Sequence, residues 1–136
     1  MHLIPLANKE TQISLKKRKY EIFVAGGHTV ETEPGFSINI FQSGTGEQTT
    51  LKELTFRVRT YENNKKAVKC YTFEAKEDGN HTVVIGNPEC LRVKNSILSE
   101  RGLSQLVFNL LLPERARRKD ISEIDLIIRG LSLIHI

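Results

Sequence analysis

The chain has 136 residues, 39% hydrophobic and 26% charged, which is close to the globular average, so bulk disorder is excluded and one unstapled core is feasible. A formal net charge of +4 permits an anionic partner without requiring one, and two cysteines are too few for a disulfide framework. No segment approaches the roughly 20 apolar residues of a membrane helix, and the first residues lack the basic leader and long apolar run of a signal peptide. A soluble, cytoplasmic chain with no membrane span is the default expectation.

Residues 1–15 have no clean period and contain Pro5, which suits an arm or short edge strand ahead of a single domain over residues 16–130. After Lys16-Lys17-Arg18-Lys19, the residues Tyr20, Ile22 and Val24 alternate with polar or outward positions and predict a strand that ends at Gly26-Gly27. A loop over residues 26–35 leads to a second alternating stretch, Phe36, Ile38 and Ile40, and Ser43 to Glu47 reads as a flexible connector.

Three amphipathic segments follow, Leu54 to Tyr61, Lys69 to Ala75 and His81 to Ile85, and together they predict a meander. A two-residue Asn63-Asn64 loop sets Val58 opposite Lys69, Phe56 opposite Tyr71 and Leu54 opposite Phe73. At the second turn a three-residue loop, Asp78-Gly79-Asn80, sets Phe73 against Ile85 and Ala75 against Val83. A two-residue loop would turn Val83 and Ile85 to the other face, so the longer one is preferred. The expected core face carries Leu54, Phe56, Val58, Tyr71, Phe73, Ala75, Val83 and Ile85. The opposite face, with Arg57, Arg59, Tyr61 and Cys70, is expected to meet solvent or a ligand.

Gly86-Asn87-Pro88 marks a turn, and Leu91 and Val93 predict a further strand. Residues 104–112 fit both helical and strand spacing, and the all-β surroundings favour strand. Over Ile121 to Arg129, Ile124, Leu126 and Ile128 share one face. Asp120 with Glu123 could open a helix there as a capping box, yet the density of isoleucine favours extended chain. The expectation is an all-β fold, an antiparallel β-sandwich or jelly roll of about eight strands. The final residues, Leu131 to Ile136, resemble the translated read-through of a sequencing adapter; the alternative is a last short strand.

Chemical signatures are sparse. The four histidines are scattered without metal-ligand spacing, and the one local cluster, His28 with Glu31 and Glu33, is ordinarily solvated loop polarity. Cys70 and Cys90 have no neighbouring base and read as reduced structural thiols, although a bridge between them is open in the preferred register. Gly44-Thr45-Gly46 lacks the rest of any phosphate-binding fingerprint, and Glu53 opposite Glu74 would be an exposed carboxylate pair without a cleft. The Asn80-His81-Thr82 sequon falls in the expected hairpin and carries no weight. No catalytic residue, metal site or cofactor is predicted.

Basic clusters remain: Lys16 to Lys19, Arg57 and Arg59 beside Tyr61, and Arg115, Arg117, Arg118 and Lys119. If they converge they form a phosphate-tracking surface with an aromatic for stacking; if they diverge they are solubility charges, a reading that Glu114, Asp120 and Glu123 favour. The resulting expectation is a non-enzymatic binding or protein-interaction module, part of a longer protein, whose contact residues are Arg57, Arg59, Tyr61, Arg115, Arg117 and Arg118. Its partner is a protein or a glycan. Nucleic-acid binding and carbohydrate binding are the alternatives, and pairing of strand edges would give a homo-oligomer.

Overall fold

The computed structural model describes residues 1–27, 29–62, 64–94 and 120–131. Among them lie eleven strands: β1 (His2–Pro5), β2 (Glu10–Leu15), β3 (Arg18–Ala25), β4 (Thr29–Thr32), β5 (Ser37–Gln42), β6 (Gln48–Thr49), β7 (Leu51–Glu62), β8 (Lys65–Ala75), β9 (Gly79–Gly86), β10 (Leu91–Lys94) and β11 (Asp125–Gly130). All pairings are antiparallel. They build a five-stranded sheet in the order β1-β11-β3-β8-β7, a four-stranded sheet β2-β9-β5-β6 and a two-stranded ribbon β10-β4.

The all-β, sandwich-like reading is met, with more strands than the expected eight; the added ones are short, while β7, β8 and β9 run longer than expected. The N-terminal segment supplies an edge strand to each large sheet, and the expected loop over residues 26–35 contains β4. Gly27 permits that ribbon to form, because a Cβ there would lie 2.5 Å from the Lys94 carbonyl oxygen. Residues 121–130 are extended as expected: a single 3₁₀ turn, Ile121–Glu123, precedes β11, and Asp120 makes no side-chain cap. Residues 104–112, the basic cluster at Arg115, Arg117 and Arg118, His28 and residues 132–136 lie outside the described residues.

One core joins the sheets. Tyr20, Ile22, Val24, Val68, Phe73, Leu126 and Ile128 come from the larger sheet and Ile13, Leu15, Ile38, Ile40, Val83 and Ile85 from the smaller, while the ribbon adds Val30, Leu91 and Val93. Tyr20 stacks on Phe73 with ring centroids 5.3 Å apart. The Tyr20 hydroxyl donates to the Lys16 carbonyl (3.0 Å) and accepts from the Lys16 amide (2.9 Å), so its polar end is satisfied inside the turn between β2 and β3.

The meander expectation is corrected in two ways. First, β8 does not pair with β9; β8 lies between β3 and β7, and the chain crosses to the other sheet through residues 76–78. Phe73, Ala75, Val83 and Ile85 still share the core, but from different sheets. Second, the β7–β8 hairpin begins in the expected register, with Glu62 opposite Lys65 and Val58 opposite Lys69, and Asn64 takes the left-handed φ of 62° that the tight loop needs. It then slips. Beyond Val58 the next partner pair is Glu53 with Tyr71, and Leu51 rather than Leu54 faces Phe73.

The slip is a bulge in which residues 54–57 oppose Cys70, and Cys70 is also the extra residue of β8 against β3. Bulges on both sides of one residue change which alternate positions point inward. Val68 and Cys70 therefore join the core along with Phe73 and Ala75, whereas Val58 is 54% exposed and Phe56 is 88% exposed. Burial pushes the Cys70 thiol up to about 11. The bulge also separates Glu53 from Glu74, so the carboxylate pair does not form. Cys70 and Cys90 are both free thiols, and the segment preceding Cys90 follows β9 rather than lying beside β8.

Candidate functional site

Two places bring unusual side chains together. The first is β7, the last strand of the five-stranded sheet among the described residues. Arg59 is opposite Val68, a core residue, so Arg57, Arg59 and Tyr61 run along the side of β7 that turns toward the sandwich interior, beyond its edge. Their roles diverge. Arg57 donates to the Val30 carbonyl at 2.9 Å and to Glu53 Oε1 at 2.6 Å, while Thr32 donates to the same Glu53 oxygen at 3.3 Å. These bonds strap the bulge to β4, and Arg57 is a fastening rather than a free cation. Arg59 is exposed, and Tyr61 is 65% exposed.

Between the fastened residues the bulge carries Phe56 outward. Val58 and Phe56 thus form an exposed apolar ridge on β7, and the exposed Arg59 lies on the other side of the strand. On the neighbouring outer face of the sheet, Glu62 and Glu21 both hold Arg129, at 2.7 Å and 3.2 Å, and the Arg129 guanidinium lies 4.9 Å from the Phe23 ring centroid. Lys69 approaches Glu21 at 3.5 Å, and Lys65 pairs with Asp125 at 2.7 Å. Much of the positive charge of this sheet is therefore already matched.

The basic groups do not gather among the described residues. Arg18 lies opposite Ala75 and Lys17 takes the Asp78 carboxylate on its amide, whereas Arg59 lies opposite Val68. Seven strand positions separate Ala75 from Val68, roughly 20 Å along β8. A continuous phosphate-tracking surface would have to bridge that span.

The second place is at the end of the sandwich where the sheets part. A cavity of about 140 Å³ opens there between β8, represented by Glu74 and the following Lys76, and the other sheet, represented by His81, Gln42 and Gln48. His81 alternates with the core residues Val83 and Ile85 and is 2% exposed, although it lines the cavity. Its Nδ1 lies 3.0 Å from the Gly79 carbonyl oxygen, which can only accept, so Nδ1 carries a proton. In the neutral ring Nε2 then keeps the lone pair. Gln42 is held by Glu77 at 2.8 Å and by Thr45 at 3.3 Å, and Gln48 donates to Asn39 at 2.8 Å, so the amides in the wall are pre-positioned.

Sequence reasoning missed both features. Alternation and the hairpin register together place Phe56 in the core, and the bulge between Glu53 and Val58 defeats both. The inward position of His81 was legible from its spacing to Val83 and Ile85, but the cavity depends on long-range contacts between strands of different sheets. Among the described residues, no group of three or more His, Cys, Asp or Glu side chains is arranged to hold a metal ion. Comparison of the chain with protein-family models, with curated proteins and with solved structures gave no match.

Proposed function

We propose that the chain is a non-catalytic β-sandwich binding module that offers the β7 bulge to a protein partner. The observation that supports this reading is Phe56, 88% exposed on a bulge that Arg57 and Glu53 strap to β4. An exposed large aromatic gains nothing for folding, and on a rigid support it loses little entropy on docking. Anchors of this kind, with arginine nearby, dominate protein interfaces. The exposed Lys52 and Arg59 on the same strand suit a partner that carries acidic groups around its apolar pocket.

A photo-crosslinking amino acid placed at position 56 tests this reading, with Glu10 on β2 of the other sheet as the control position. The expected result is an adduct specific to position 56. With that partner purified, Phe56→Ser is expected to weaken binding by more than about tenfold. Equal labelling from position 10, or an unchanged affinity, would overturn the reading.

A further inference from the structure

The end cavity, separate from the Phe56 ridge, has the size and wall chemistry of a site for a single neutral ring bearing several hydroxyls. An enclosed cavity of about 150 Å³ admits one benzene molecule; the 140 Å³ here is of that order but partly open to solvent, so it accepts one six-membered ring whose substituents project through the mouth. Its wall is mixed, with more apolar than polar surface, which suits the C–H face of a ring as well as its hydroxyls. Glu47 and Glu74 supply acceptors, Lys76 a donor, Thr49 a hydroxyl that does both, and His81 the ring nitrogen not engaged by the Gly79 carbonyl.

That mixture decides the ligand class. A phosphate or carboxylate would meet two carboxylates against one ammonium, and a metal ion lacks a three-ligand group among the described residues. A hydroxyl, by contrast, donates to a carboxylate and accepts from an ammonium at once, so a ring carrying several of them can bond to both kinds of wall group. The Gly79 carbonyl fixes the His81 tautomer in advance, and the held amides of Gln42 and Gln48 keep the wall from collapsing. We infer that this cavity binds one hexopyranose unit, free or as the end of a glycan, with His81 and Glu74 as its orienting contacts.

The test is a nuclear magnetic resonance titration of the whole chain with methyl hexopyranosides of differing hydroxyl configuration, and separately with calcium chloride. At least one glycoside is expected to give saturable shifts at the Gln48 side-chain amide and the His81 ring, with configuration selectivity. His81 is buried and its replacement perturbs the core, so the paired variant is Glu47→Ala with Glu74→Ala, both exposed. That double variant is expected to keep its melting temperature and to weaken glycoside binding about tenfold or more, because charge-assisted hydrogen bonds are lost. The proposal fails if no glycoside shifts these resonances up to its solubility limit, if shifts map to β7 instead, if calcium alone perturbs the cavity, or if the double variant binds as well as the parent.

Discussion

Strand β11 lies between β1 and β3 and buries Leu126, Ile127 and Ile128 completely, whereas β7, at the other side of the same sheet, leaves Phe56, Val58 and Tyr61 largely in water. Both strands have apolar residues at strand spacing. What separates them is position: β11 has a hydrogen-bonded neighbour on each side and apolar neighbours on both faces, with Ile127 joining Phe23, Ala25 and Ala67 on the outer face. In β7 a bulge interrupts the ladder, which is how edge strands avoid indiscriminate pairing. Apolar residues on β11 therefore hold the fold together, and those on β7 are available for contact.

The largest test of this contrast is truncation on β11. Ile128→Ala is expected to cost about 2–5 kcal/mol in urea denaturation, since the site is sealed on all sides and the cavity cannot relax. An effect below about 1 kcal/mol would show that β11 is not the structural spine of the sheet.

Next comes the bulge residue itself. The folded-state thiol of Cys70 sits near 11 because burial disfavours the thiolate, above its ordinary 9.0. A raised folded value means that stability is complete below pH 9, where both states hold the proton, and is lost as pH rises toward 11, because only the unfolded chain ionises. The expected loss is on the order of 2 kcal/mol. Tyr71, pushed by burial up to about 12, adds a further decline at higher pH. Denaturation midpoints from pH 8 to 11 should fall more steeply for the parent than for Cys70→Ala, and parallel slopes would contradict the buried placement of this thiol.

A smaller effect is expected at the charged group on the outer face. Glu21→Gln removes one of two carboxylates from the partly exposed Arg129 and leaves Glu62 in place, so the expected cost is about 1–2 kcal/mol. It should shrink in the Glu62→Gln background if the two carboxylates act through the same guanidinium, which a double-mutant cycle measures.

The contrast also explains which features could be read from the chain. Tyr20, Ile22 and Val24, like Ile124, Leu126 and Ile128, alternate without interruption, and all six reach the inner core as their spacing implies, although Phe23 and Ile127 between them are buried on the outer face as well. The tight loop before Lys65 and the register at Val58 were equally legible, because local turn chemistry sets them. Phe56 and Cys70 were not, since a bulge is decided by what flanks the strand, here β4 fastening Arg57 and β3 meeting Cys70, and neither contact has a signature in the intervening residues. The crossing from β8 to β9 was hidden for a related reason: Asp78-Gly79-Asn80 suits a hairpin, but Arg18 to Ala25 competes for β8 from a distance and prevails. Of the expected contact residues, Arg57 proved committed to β4, and Arg59 and Tyr61 remain at the surface.

The smallest expected effect is the sharpest discriminator between holding a fold and presenting a surface. Phe56→Ser removes the most exposed aromatic ring of β7 and should change stability by less than about 0.5 kcal/mol, in either direction, because the ring leaves little water-accessible area behind on folding. Thermal and urea unfolding measured side by side with Ile128→Ala place the two strands on one scale. A cost of several kcal/mol at Phe56 would mean that its ring packs against the protein in solution, and the ridge would then belong to the core rather than to a partner. Neutral stability would show that Phe56 has no folding role, which the proposed contact requires.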